Sequence, residues 1–223
     1  MTRSTRAPRN SLSRARVVGA AFELADAEGL DALTIRAVAS RLEATPMSLY
    51  RHVANKDDLL DALVERMYAE FETPDPRWPD WRSELRRRAS SVRAVLVRHP
   101  WSVALIETRA GPDRPVTFAH TEAVLATLIS AGCSPRLAAR AFVVLDSYVY
   151  GFAVQQITMP STEPGDVEAD QVAAMQQYPS MLAAMDAVLA DPEYDFIAEF
   201  DAGLDLVLDG IDRWRQRPSA SAG

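Results

Sequence analysis

The chain has 223 residues, 48% of them hydrophobic, and carries 24 Lys or Arg against 31 Asp or Glu, a formal net charge of −7. That length and apolar content suffice for a sizeable buried core, and the single cysteine, Cys133, excludes an internal disulfide framework and fits a reducing cytoplasm. No apolar run of about 18 residues is read in the chain and no signal-peptide core follows the Arg-rich start, so no segment is expected to span or cross a membrane.

The charge is uneven. Residues 1–56 hold nine Lys or Arg against five Asp or Glu, whereas 57–223 hold fifteen against twenty-six. Only the N-terminal quarter reads as a binder of polyanions. Residues 1–12 form an expected flexible basic arm, with Arg3, Arg6 and Arg9 among Ser, Thr and Pro and with Arg14 and Arg16 continuing the cluster. A solvated terminus that touches nothing is the alternative.

Ser13 is placed to cap a first helix with Val17, Val18, Ala21, Phe22 and Ala25 on one side, ending at Glu28-Gly29. Thr34 caps a second, whose Ile35, Val38, Ala39 and Leu42 recur at helical steps. Thr45 caps a third with Pro46 at its first position, where a missing N–H costs nothing. Over 46–52 this third helix spans roughly 10 Å, short enough to lie across a major groove. Leu49 and Val53 turn inward, leaving Met47, Ser48, Arg51 and His52 outward as apolar, hydroxyl, guanidinium and imidazole groups suited to base edges and phosphates. Asn55 caps the next helix. Two short helices joined by a tight turn within 13–57 are the geometry of a DNA reader.

These residues resemble the helix-turn-helix of the tetracycline-repressor (TetR) family. Glu28-Gly29-Leu30, Leu33-Thr34, Leu49-Tyr50-Arg51-His52-Val53 and Asn55-Lys56 with Leu59-Leu60 all fall in that family's order and spacing. Glu43 departs from it, standing at a turn where the family usually has glycine. Either a positive φ is tolerated there at about 1 kcal/mol or the helix runs on by one residue. The resemblance implies that Arg36 contacts a base and that Tyr50 and Lys56 hold phosphates, with Thr34, Thr45, Pro46, Met47, Ser48, Arg51 and His52 completing the DNA-binding set.

Further along, 55–72 carries an apolar stripe of Leu59, Leu60, Leu63, Val64 and Met67 and leads out of the reading unit. Pro74, Pro76 and Pro79 break the chain. Residues 81–99 resume helical spacing, with Arg86-Arg87-Arg88 expected on a solvated face. A short helix over 101–108, an amphipathic one over 116–131, and one over 136–156 that is apolar on nearly every side follow; the last is expected to be buried on two faces. Residues 158–170 read as a mobile loop, and two shorter helical pieces flank Tyr178-Pro179. Over 194–215, Ile197, Phe200, Leu204, Val207, Ile211 and Trp214 recur at alternating steps of three and four, an expected dimer seam with symmetry-related helices over 136–156. Gly203 and Gly210 beside it allow a neighbouring helix to approach. Residues 216–223 are an expected disordered tail. No strand pattern is present, so the fold class is all-α: a helix-turn-helix domain followed by a larger helical domain over 58–215.

The second half also resembles the ligand-binding domain of the tetracycline repressors, through Thr108-Arg109 and Tyr148-x-Tyr150-Gly151-Phe152. Aligned through them, Leu105 stands where that family has a magnesium-coordinating histidine, and Gln155 where a glutamate binds the metal through water. Leucine does not ligate a hard cation, so no metal or other cofactor is expected and the ligand differs. Trp101, Leu105, Arg109, Phe118, Tyr148, Phe152 and Gln155, with Met159, Met175, Met181 and Met185 arriving from later segments, make an expected site for a drug-sized apolar effector; a plain core stripe is the alternative.

Enzyme chemistry lacks a constellation: there is no phosphate-cradling glycine loop, H-E-x-x-H, cysteine cluster or G-x-S-x-G. His99 and His120 read as isolated packing or surface histidines. The expected function is a homodimeric, ligand-responsive repressor on a palindromic DNA operator in a prokaryotic cytoplasm. A helical sequestering protein with a vestigial DNA-binding unit is the alternative, and a helical enzyme the weaker third.

Overall fold

The computed structural model describes residues 12–109, 115–158, 176–192 and 194–217. Arg3, Arg6, Arg9, Met159, Met175 and the 158–170 loop beyond Thr158 therefore lie outside the described residues. Ten helices and no strand are found among those described: α1 (Arg14–Glu28), α2 (Ile35–Arg41), α3 (Pro46–Leu49), α4 (Lys56–Glu70), α5 (Trp81–Arg98), α6 (Ser102–Arg109), α7 (Pro115–Ser130), α8 (Pro135–Thr158), α9 (Pro179–Leu189) and α10 (Phe196–Arg215).

Local chemistry sets most boundaries. Ser13, Thr34, Thr45, Asn55, Asp80 and Asp195 each accept a backbone N–H from the first turn of the helix they precede. Gly29 closes α1 at φ +80°, donating to the Ala25 carbonyl at 2.9 Å.

Helices α1 to α3 pack around Val17, Ala21, Phe22, Leu33, Val38, Leu49 and Val53, all buried. This core continues through Leu59, Leu63 and Met67 of α4 into the larger helical domain, where α5 packs chiefly on α8 and α8 on α10 and α7. Helix α4 touches α1 on one side and α5, α6 and α7 on the other, so it joins the two halves.

Helix α8 differs from the expectation of burial on two faces. Ala138, Ala141, Leu145, Val149, Phe152 and Ala153 are buried, but Val143, 61% exposed, and Val144 face out. By length and composition this 24-residue helix could cross a membrane, with a mean hydropathy of 1.4 over an 18-residue window; the expectation that no segment is apolar enough to do so is corrected. Its inward face is packed against α5, α7 and α10 instead.

The expected seam on α10 is also redistributed. Phe200, Leu204 and Ile211 are 1%, 0% and 2% exposed within one protomer, so these side chains pack into its own core, with Ile211 also at the floor of an outer groove beside Leu206 and Trp214. Ile197 is exposed and Val207 half-buried. Gly203 does admit a close neighbour: a Cβ there would collide with Tyr148 of α8, whose hydroxyl donates to the Phe200 carbonyl at 2.8 Å.

Candidate nucleic-acid interface

The exposed face of α2 and α3 is built from caps. Thr34 Oγ1 accepts from Ala37 N at 3.0 Å and opens α2; Thr45 Oγ1 accepts from Ser48 N at 3.3 Å and opens α3, with Pro46 at its first position. Between them the chain turns at Glu43, whose φ is +51°. Glu43 and Ala44 donate to the Ser40 and Ala39 carbonyls at 3.1 and 2.9 Å, the paired bonds that close a helix on a left-handed residue. The turn keeps its geometry without glycine, at a strain of about 1 kcal/mol.

The α3 helix is shorter than the expected 46–52. Its last turn tightens, with His52 N and Val53 N both bonding the Leu49 carbonyl at 2.8 and 3.0 Å. Leu49 and Val53 are buried, as the spacing required. Thr34, Arg36, Thr45, Pro46, Tyr50, Arg51 and Lys56 are exposed, Met47 is 75% exposed, and Ser48 and His52 are half-buried. Ser48 Oγ donates to the Thr45 carbonyl at 2.6 Å. Lys56 occupies the first position of α4, where the positive helix end favours an anion.

Arg14 is not part of the N-terminal arm. It sits in the first turn of α1 and reaches across the domain: Nη1 and Nη2 bond the two oxygens of Asp58 at 2.9 and 2.7 Å, and Nη1 also donates to the His52 carbonyl at 3.0 Å. Asp58 Oδ2 accepts Ala54 N at 2.7 Å as well. The Arg14 guanidinium and then this N–H hold the Asp58 carboxyl down at about 2. Sequence spacing gave no signal for a pair 44 residues apart.

In the larger domain several expectations change. Arg88 was placed on a solvated face, yet it is 1% exposed. It stands one turn from Leu85 and Val92 on the buried stripe of α5, a signal that the run of three arginines obscured. Its Nε donates to His120 Nε2 at 3.2 Å and its Nη1 pairs with Asp146, while the Tyr68 ring stands edge-on to His120. Burial, then the Arg88 charge, lowers His120 to about 4, so a neutral imidazole accepts from Arg88. Arg86 pairs with Asp205, and Arg87 with Glu72 and Glu84. His99 is likewise buried: Nδ1 lies 2.6 Å from Asp26 Oδ1, which also accepts Trp101 Nε1 at 2.7 Å. Neither histidine is isolated.

The expected effector residues are not brought together as one wall. Leu105 is buried, and Phe152 and Tyr148 stack on Phe196 and Phe200, respectively. Phe118 and Gln155 are exposed, Trp101 is committed to Asp26, and Arg109 pairs with Asp57 and Asp61 of α4. Met175 lies outside the described residues; Met181 is exposed and Met185 half-buried on α9. An apolar cleft of about 270 Å³ does open between α6 and α8, lined by Pro100, Val103, Ala104, Val154, Ile157 and Thr158. A magnesium ion does not fit Leu105 and Gln155: the first has no donor atom, and the second points to solvent.

Residues 73–214 match the tetracyclin repressor-like C-terminal domain, and residues 17–63 match the bacterial regulatory proteins of the tetR family. The chain belongs to the TetR family. It is a DNA-binding transcriptional regulator. Among relatives of this TetR-family regulator, the HTH-type transcriptional repressor DrrR1 of Streptomyces coeruleorubidus is 33% identical over 94% of this chain and 81% of its own. The tetracycline repressor protein class A from transposon 1721 of Escherichia coli is 33% identical over 89% and 90%. The solved structure of ActR from Streptomyces coelicolor in complex with actinorhodin superposes with a TM-score of 0.74 at 29% identity, covering 95% of this chain and 100% of that one. These relatives are regulators of transcription rather than enzymes.

Proposed function

We propose that this TetR-family regulator is a homodimeric repressor that reads a palindromic operator in a prokaryotic cytoplasm and is released by an aromatic, largely apolar effector. Arg36 reads a base edge, Tyr50 and Lys56 hold phosphates, and Thr34, Thr45, Pro46, Met47, Ser48, Arg51 and His52 complete the contact face. The observation that carries the reading is the intact head: both short helices keep their caps, Leu49 and Val53 are buried, and the polar face is exposed. The names of the repressor relatives support the sign of regulation, and ActR's complex supports a polycyclic effector class.

The dimer is assigned to the outer face of α8 and α10. Val143, Val144, Leu206, Val207, Gly210 and Trp214 make a continuous apolar strip there, and Leu206 is 71% exposed. A second copy of this chain supplies an apolar surface of the same shape by two-fold symmetry.

For the effector, the apolar cleft between α6 and α8, lined by Val103, Ala104, Val154 and Ile157, is the entry. An effector that widens it displaces α6, and Arg109 passes the movement to α4 and so to the spacing of the two heads. Converting 99% DNA-competent protein to 1% requires about 5.5 kcal/mol of preference for the other state. The test is a gel shift on the DNA upstream of the protein's own gene, with and without polycyclic aromatic compounds. Specific retardation, and release by a compound that also raises the melting temperature and acts equally in EDTA, is the expected result. No preference for that DNA over random duplex, or release strictly dependent on magnesium, overturns it.

A further inference from the structure

We infer that Arg14 is a positioning residue for the DNA-reading helix, acting through Asp58 and the His52 carbonyl rather than by contact with a phosphate. The inference rests on the reading of α3 as the DNA-contacting helix. An arginine at the N-terminal edge of a basic reading head is ordinarily counted as a phosphate contact. Here the side chain is 47% exposed, yet the guanidinium is held against the protein surface by its own acceptors. Three of its hydrogen bonds go to protein acceptors within 3.0 Å, two of them the bidentate pair with Asp58.

The three tied points explain what the clamp does. The His52 carbonyl lies in the turn that follows α3. Ala54 N–H and the Asp58 carboxylate join the following bend to the first turn of α4, whose Asn55 cap is bonded from Asp58 N at 2.8 Å. Arg14 therefore connects the start of α1 to the exit of α3 and the entry of α4 at once. With only four residues, α3 has little internal stiffness, and its orientation depends on what grips its ends. The planar five-donor fork suits this, because it can satisfy a carboxylate and a carbonyl together where a lysine ammonium presents a single point.

Asp58 provides a sign test. A carboxylate beside a DNA-facing surface repels phosphate, so on charge alone Asp58→Asn strengthens binding. As part of the clamp it does the opposite. Duplexes selected by the wild-type protein from a random pool serve as the specific probe, with a scrambled duplex as the non-specific one. Arg14→Ala, Arg14→Lys, Asp58→Asn and the double variant Arg14→Ala/Asp58→Asn are compared well below their melting temperatures, with the active fraction titrated.

The expected result is a loss of about tenfold in affinity for the selected duplex in each single variant, as for one charge-assisted bond. The double variant is no worse than Arg14→Ala, affinity for scrambled duplex changes much less, and the salt slope is unaltered. Retained affinity in Arg14→Lys, a salt slope reduced by about 0.9 in Arg14→Ala, or tighter binding by Asp58→Asn each overturn the clamp while leaving α3 as the reading helix. A change in melting temperature alone, with specific affinity intact, reduces Arg14 to a fold contact and also overturns it. Wild-type protein that selects no sequence overturns both this inference and the reading beneath it.

Discussion

Arg109 Nη1 donates to Asp61 Oδ1 at 2.9 Å, and Nη2 of the same guanidinium pairs with Asp57 one turn earlier. The last turn of α6 is thereby fastened to the first two turns of α4, directly beyond Asn55 and Lys56. Aspartates in the first turn of a helix already favour its positive end, and Arg109 adds a partner from the ligand domain. The pairing commits the Arg109 guanidinium to α4, and under the proposed function it couples the cleft to the reading head.

Arg109→Ala is expected to raise hydrogen exchange at the α4 amides of residues 58–62 and to leave binding of an effector unchanged, while the effector releases less DNA. The fold should survive, since partly exposed ion pairs of this kind contribute about 1 kcal/mol or less. Exchange and release both like wild type would separate α6 from α4; loss of effector binding would return Arg109 to the ligand site.

Glu43→Gly should stabilise the protein. Glycine adopts the observed φ of +51° without strain, so up to about 1 kcal/mol is recovered, less the entropy glycine adds to the unfolded chain. The net gain is a few tenths of a kcal/mol, so a rise of about 1 °C in melting temperature with unchanged DNA affinity is the outcome to seek. A fall would show that the Glu43 side chain, not its backbone, secures the turn.

Leu204 and Leu206 are two residues apart and have opposite roles. Leu206→Arg, on the exposed strip, is expected to give folded monomers by sedimentation with normal helicity. Leu204→Ala, in the protomer core, should lose about 2–5 kcal/mol of stability without selectively weakening association. Intact dimers from both Leu206→Arg and Val143→Arg would move the interface elsewhere.

His120 sets an acid limb to stability. Its folded value of about 4 lies below the ordinary 6.5, so the unfolded chain binds a proton that the folded chain refuses. Stability is therefore complete above about pH 6.5 and declines as pH falls toward 4, by an amount on the order of 3 kcal/mol. Asp58, held at about 2 against an ordinary 3.8, adds its own loss only below that window. His120→Gln keeps an acceptor for Arg88 Nε and should flatten the decline between pH 6.5 and 4 in denaturant titrations. An unchanged slope would assign the limb to other groups.

The reading head was legible in the sequence because its determinants are local. Thr34, Thr45 and Asn55 bond backbone N–H groups three residues ahead, Pro46 presets its own φ, and Leu49 and Val53 are one helical turn apart; none of this depends on a distant partner. The effector site was less legible. Arg109, Trp101 and Gln155 have the right chemistry for a ligand, but their surroundings come from chain far away in sequence. Arg109 meets Asp61 across 48 residues and Trp101 meets Asp26 across 75.

The sequence by itself determined that the chain is all-helical, where most helices begin and end, and that its N-terminal domain presents a capped, exposed reading helix. Tertiary structure decided the rest: which arginines are buried, as Arg88 is; which are clamps, as Arg14 is; and which apolar residues of α10 remain available to a partner. A stripe repeating at steps of three and four specifies that one face of a helix is covered, but carries no information about which copy of the chain covers it. In this protein Tyr148, entering beside Gly203, commits the stripe of Phe200, Leu204 and Ile211 to the protomer's own α8, and leaves Leu206 and Trp214 on the outside.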